Sequence, residues 1–246
     1  MSQRFSTKPW KDYLPASFEW LTKTLKVEFC ETSDSCKLIL VPCVDGKDGK
    51  VATVGGSFPH KKEVQKQVEL HNWTGGGTFD CTAEGRAYAV VSTSAVNSST
   101  KQLARQWGIN AQKALGGRKI SCLGVVAAEG YDSGDIFEGM AYGFYDTDSF
   151  RSKKPASKNF PGTIHFWGVP TEPASFAKAR ATAEATTLTT FLQDAPPNWL
   201  DTSRFAEIAA DICKENGVKC KVLGDKELEK ENCHLFLSVS KGSYHW

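Results

Sequence analysis

Residues 191–217 read FLQDAPPNWLDTSRFAEIAADICKENG. A helical pattern runs into Asp194-Ala195-Pro196-Pro197, and there it must stop, because proline removes a backbone donor and disfavours a helical residue before it. A second helix follows behind Asp201 and Thr202, either of which can serve as its cap, and it stops at Gly217, a residue suited to a left-handed C-terminal position. One structural unit therefore closes at the prolines and another opens just after them.

Working back from the prolines, residues 172–194 form an Ala- and Thr-rich helix after Pro170, with Phe176, Leu188, Phe191 and Leu192 as its apolar positions; its length suits a rigid connector. Before it, strands and helices alternate. Lys26–Phe29 alternates polar and apolar. Lys37–Val44 (KLILVPCV), Arg86–Ser94 (RAYAVVSTS), Lys119–Ala128 (KISCLGVVAA) and Thr163–Gly168 (TIHFWG) read as strands. Residues 60–70 read as a helix with Val64 and Val68 on one face. Residues 99–115 read as another, in which Ser99 and Gln102 have capping-box spacing and Leu103, Trp107, Ala111, Ala114 and Leu115 share a stripe. A third covers Asp132–Tyr145, with Ile136, Phe137, Met140, Ala141 and Phe144 facing inward. This order predicts a layered α/β domain with a mixed or mostly parallel sheet over residues 1–171, a linker helix over 172–195 and a second, incomplete α/β domain over 196–246.

Working forward, the helix that ends near residue 216 places Phe205, Ile208, Ala209 and Ile212 on one side. A strand over Val218–Leu223, a short helix capped by Asp225 and a strand over His234–Val239 are expected next. Two strands make no stable open sheet, and a module this small buries too little surface to offset its chain entropy. Either the segment docks on the first domain, or it opens a larger second domain; the second reading is adopted.

Composition narrows the function classes. Thirty basic and 28 acidic residues give a net charge of +2, which offers no polyanion-binding surface and makes nucleic acid an unexpected partner. The basic stretch Arg151–Lys158 reads as a solvated loop. The start, MSQRFSTKPWKDYLP, has no apolar segment of signal-peptide length, and no run approaches a membrane span. A cytoplasmic protein with free thiols is therefore expected, and the glycosylation patterns at Asn72 and Asn97 carry no meaning.

The eight cysteines match no zinc template. Cys30, Cys36 and Cys43, and again Cys213, Cys220 and Cys233, are too widely and irregularly spaced, and no Cys-x-x-Cys occurs. Cys43 and Cys122 lie in apolar runs where a thiol packs as a small hydrophobe. The histidines at 60, 71, 165, 234 and 245 lack the helical spacing of a zinc site, and His71 and His165 read as packed or hydrogen-bonded side chains. The run Gly75-Gly76-Gly77 is a candidate phosphate-binding turn, though a tight turn explains it as well.

The run from Phe191 to Ser243 resembles the segment entering the catalytic domain of the leucyl aminopeptidase family, the M17 metalloexopeptidases. The resemblance is carried by Asp194-Ala-Pro-Pro-Asn198, Leu200-Asp-Thr202, Phe205-Ala-Glu207, Val222-Leu-Gly-Asp-Lys-Glu-Leu228 and Ser240-Lys-Gly-Ser243. More loosely, Gln102–Ala114, the strand at 119–128 and Glu138–Tyr145 are similar to the rhythm of that family's N-terminal domain. The resemblance implies a macro-domain-like N-terminal domain, a linking helix, a catalytic domain and a homohexamer. It also implies two divalent metals, zinc or manganese, that activate water against the first peptide bond of peptides, leucine preferred. The family's metal-binding segments, Lys-Gly-x-x-Phe-Asp-Ser-Gly-Gly and Asn-x-Asp-Ala-Glu-Gly-Arg, do not occur in this sequence. Gly75-Gly-Gly-Thr-Phe-Asp80 and Ala83-Glu-Gly-Arg86 imitate fragments of them but lack the lysine, asparagine and aspartate that complete a site. No catalytic residue, metal ligand or cofactor is therefore expected in this chain, which reads as catalytically silent, with an assembly or substrate-access role. The competing expectation is a stand-alone macro-like module binding ADP-ribose or nucleic acid.

Overall fold

A computed structural model describes residues 9–93, 99–127, 129–146, 150–151 and 159–241. The chain divides into two compact units: Tyr13–Asp194, and Ala195–Trp246 together with Met1–Asp12.

The larger unit is a mixed, mostly parallel seven-stranded sheet. Its strands are β1 (Lys26–Cys30), β2 (Leu38–Val44), β3 (Thr53–Val54), β4 (Thr78–Ala83), β5 (Arg86–Ser92), β6 (Cys122–Val126) and β7 (Thr163–Trp167). The order is β1-β7-β6-β2-β5-β4, with β3 pairing β2. β1, β7, β6, β2 and β5 run parallel, while β3 and β4 pair antiparallel with their neighbours. β2 is central, and its near-continuous apolar run is what a strand covered on both faces requires. Leu38 and Leu40 enter one core and Ile39, Val41 and Cys43 the other.

Helices supply both covers. α1 (Ala16–Glu19) leads through a single π turn to β1. α2 (Lys61–Leu70) lays Val64 and Val68 on the face that carries Tyr88, Val90 and Trp167. α3 (Thr100–Ala114), α4 (Ser133–Phe144) and α5 (Phe176–Asp194) cover the other face. Ser99 and Gln102 form the expected capping box at the start of α3. The buried stripe of α3 is Ala104, Trp107, Gly108 and Ala111, continued by Leu115 just beyond the helix; Ala104 takes the inward place expected of Leu103. α3 and α4 pack backbone to backbone: a Cβ at Gly108 would overlap the Ile136 carbonyl oxygen, and one at Gly139 the Arg105 carbonyl oxygen. α5 buries Phe176, Ala179, Ala183, Thr187 and Phe191, an i, i+3/i+4 ladder mixing small and aromatic residues, whereas Leu188 and Leu192 are half-buried. Tyr145 Oη donates to Asp194 Oδ2 at 2.8 Å, tying the ends of α4 and α5.

Two strands escaped the sequence reading. β3 is only two residues long, and β4 follows the glycine run that read as a mere turn into β5. Glu84 and Gly85, both at positive φ (48° and 74°), form the two-residue hairpin loop between Ala83 and Arg86.

The smaller unit departs further from expectation. α6 (Thr202–Glu215) is capped by the Asp201 side chain, which accepts from the Arg204 N–H at 2.8 Å. α7 (Asp225–Lys230) has Gly224, not Asp225, at its cap, and Glu227 accepts the Gly224 N–H at 3.2 Å. Val218–Leu223 carries no strand, and residues 234–240 form helix α8 (His234–Ser240) instead of the expected strand. Both corrections have one physical cause. A strand needs a neighbour to receive its backbone donors and acceptors, and among the described residues these segments have none. A helix satisfies the same groups internally. The features expected at Arg151–Lys158, Ser94, Asn97, Ala128 and Ser240–Ser243 fall partly or wholly outside the described residues, and His245 lies outside them.

Candidate functional site

In an open α/β sheet, loops at the carboxyl ends of the strands form a crevice where successive connections leave a central strand in opposite directions. Here that strand is β2: the chain proceeds from it to β5 on one side, then crosses to β6 on the other. A crevice of about 650 Å³ opens there, lined by Cys43, Thr53, Gly56, Lys61, Thr93 and Tyr131 among others. Among the described residues Lys61 is its one cationic side chain, and Lys61 Nζ already donates to the Gly56 carbonyl at 2.8 Å. Gly56 sits at φ 71°, and a Cβ there would press on Val126 and the Ala127 carbonyl, so the glycine lets the β3–α2 loop close against the end of β6. The start of α4 is capped from within the chain, Asp132 Oδ1 accepting from the Gly134 N–H at 2.8 Å. A small polar molecule held by backbone groups and hydroxyls suits such a crevice. Its cation count is low for a pyrophosphate.

The residues singled out from sequence are placed elsewhere. Gly75, Gly76 and Gly77, at φ 108°, 80° and 133°, lead into β4, and the Gly76 N–H donates to Asp45 Oδ1 at 3.3 Å. A carboxylate thus occupies the position an anion would take, and the turn does not line the crevice. Ala83–Arg86 is the β4–β5 hairpin, and Asp80 pairs with Arg118. His60 Nδ1 lies 2.8 Å from Tyr88 Oη, and His71 Nδ1 lies 2.9 Å from the Gln67 carbonyl. His71 is hydrogen-bonded as expected. His165 is different: it is buried beside thiols, and Cys36, Cys122 and His165 form a group whose ligand atoms lie within 4.8 Å of one another. Sequence spacing gave no sign of it, because the three residues come from the loop before β2, from β6 and from β7.

That group is also the single cluster of three or more potential ligands among the described residues. It is thiol-rich and does not fit a pair of hard divalent cations bridged by carboxylates. No step of a two-metal hydrolysis follows from the side chains present.

The smaller unit carries a second unusual surface. Phe205, Val218, Val222, Leu235, Phe236 and Val239 are all exposed, with Leu235 and Val239 at 85%. In α6 only Ile208 is buried, where a full stripe of four was expected.

Comparisons with known proteins follow the same division. Residues 187–246 match the family model described as the cytosol aminopeptidase family (M17), catalytic domain. A probable cytosol aminopeptidase of Streptomyces coelicolor is 30% identical over 151 residues, covering 54% of this chain and 29% of that protein. One of Desulfovibrio desulfuricans is 36% identical over 102 residues, covering 38% and 20%. The matched part thus spans less than a third of these relatives' length. Among solved structures, a tomato leucine aminopeptidase mutant aligns with TM-score 0.60 at 14% identity, over 85% of this chain and 46% of that one. The bottromycin maturation enzyme BotP, in complex with Mn, aligns with TM-score 0.56 at 17% identity, over 79% and 40%. These likenesses show the fold. The sequence matches, over part of its length, relate the chain to the M17 cytosol aminopeptidases.

Proposed function

We propose, from this kinship with the M17 aminopeptidases, that the chain serves as the part of a leucyl-aminopeptidase-type enzyme that precedes the metal-binding segments. Residues 1–171 form its macro-like domain, 172–195 the connecting helix and 196–246 the opening of the catalytic domain. On this reading the whole enzyme releases N-terminal residues, leucine preferred, from peptides in the cytoplasm, using two zinc or manganese ions. This chain alone is silent, and its role is to build a homohexamer or to shape peptide entry. The observation that carries the proposal is a coincidence of position. The stretch that matches the catalytic-domain family, 187–246, contains most of the large apolar side chains that lie exposed among the described residues, the others being Val44, Leu70 and Tyr142.

The test is hydrolysis of leucine amide by the purified chain with added Mn²⁺ or Zn²⁺. Turnover no faster than the metal-only blank is expected. Turnover abolished by a chelator would overturn the proposal. A second reading, a small-molecule binding module, rests on the crevice at the end of β2. Titration calorimetry with ADP-ribose separates the two, since micromolar binding favours the module and its absence leaves the enzyme reading standing.

A further inference from the structure

We infer that Cys30, Cys36, Cys122 and His165 form a structural site for a single soft or borderline divalent cation, zinc in the first place. The site is independent of the aminopeptidase reading.

The sheet assembles it. β1, β7 and β6 are neighbours, with Glu28 opposite His165 and Gly124 opposite His165 on the other side. Side chains alternate along each strand, so Glu28, Cys30, Cys122 and His165 emerge on one face, the face away from α3, α4 and α5. The loop between β1 and β2 returns across that face and delivers Cys36, which is 1% exposed. Cys36 Sγ and Cys122 Sγ are 2.9 Å apart, and Cys30 Sγ lies 3.8 Å from His165 Nδ1.

A tetrahedral zinc centre with Zn–S near ~2.3 Å and Zn–N near ~2.0–2.1 Å spaces its ligand atoms about 3.5–3.8 Å apart. Cys36, Cys122 and His165 already lie within 4.8 Å of one another, whereas Cys30, at a matching distance from His165, falls outside that group and must turn its thiol inward to complete the set. The two thiol sulfurs need to part by less than about 1 Å. Three sulfurs and an imidazole are the ligand set of closed structural zinc sites.

The surroundings suit a cation. Ser35 Oγ lies 3.2 Å from Cys122 Sγ, where a hydroxyl can donate to a bound thiolate. Cys122, with Ser35, Lys37 and Ser121, also lines an open groove at the amino ends of the strands, which gives an ion its way in. A coordinating metal displaces the thiol protons directly. On binding, each of the three cysteines releases one proton to solvent as its sulfur–metal bond forms, and His165 binds as the neutral imidazole.

The experiment is titration of the reduced, chelator-treated full chain with Co²⁺, followed by displacement with Zn²⁺. One equivalent of Co²⁺ should produce the strong visible absorption and thiolate charge-transfer band of a tetrahedral site, and one equivalent of Zn²⁺ should erase both and raise Tm. Cys122→Ser, at a half-buried position, should keep the fold by circular dichroism. It should weaken Co²⁺ binding by more than the ~10–100-fold typical of losing an outer-shell partner. Cys213→Ser with Cys220→Ser should change nothing. No thiolate-to-cobalt band in the unaltered chain would overturn the inference. So would full affinity in folded Cys122→Ser, or a Cys36–Cys122 disulfide in protein purified with a thiol reductant.

Discussion

Cys43 sits near the end of β2 with its side chain fully buried, and its thiol is pushed up from 9.0 to about 12, by burial first and the Asp45 carboxylate second. Between those values the unfolded chain has lost the proton and the folded chain still holds it. The contribution to stability is therefore complete below about pH 9 and drains away as pH rises toward 12. Urea midpoints measured from pH 8 upward should fall above ~9, and Cys43→Val should flatten the fall, since it keeps the volume and removes the proton. At the surface, Ser99 tests a different local rule. Its side chain accepts from the Gln102 N–H while Gln102 Oε1 accepts from the Ser99 N–H at 3.1 Å. Ser99→Ala should cost about 0.5–2 kcal/mol in urea unfolding, and Ser99→Asp should recover most of it.

At the scale of elements, the contact of α3 with α4 depends on absent side chains. Gly139→Ala inserts a methyl group against the Arg105 carbonyl and should destabilise by about 1–3 kcal/mol, read as a lower Tm with an unchanged far-ultraviolet spectrum. The same scale shows what the sequence could reveal. β2, β5, β6 and β7 were legible because buried parallel strands leave continuous apolar runs, and α3 and α6 because their caps are written in Ser99, Gln102 and Asp201. The β4 edge strand was missed although Thr78–Ala83 alternates, because the glycine run before it was read as a turn leading straight into β5. The segment His234–Val239 carries an apolar run that predicts a strand, and the structure coils it into α8. Its pattern and its conformation disagree because a strand is a pairwise object, and the pairing partner is not in the local sequence. The thiol cluster was illegible for a related reason. Residues 30, 36, 122 and 165 have no common spacing along the chain and meet only once the sheet order is known.

Over the whole molecule, the exposed apolar side chains are concentrated in one unit. Leu235, Phe236 and Val239 on α8, Val218 and Val222 before α7, and Phe205 on α6 lie uncovered, while the sheet of Tyr13–Asp194 is covered on both faces. Leu235→Lys with Val239→Lys should therefore lower hydrophobic dye binding and aggregation without moving the main urea transition, the reverse of what core substitutions do. Both properties follow from the central claim, that residues beyond Ala195 belong to a catalytic domain whose sheet they cannot complete by themselves. Amide hydrogen exchange of the isolated chain measures this most directly. Amides of residues 218–240 should exchange with little protection, while those of Leu38–Val44 and Arg86–Ser92 are protected to nearly the global stability. Protection over 218–240 equal to that of β2 and β5 would contradict the account.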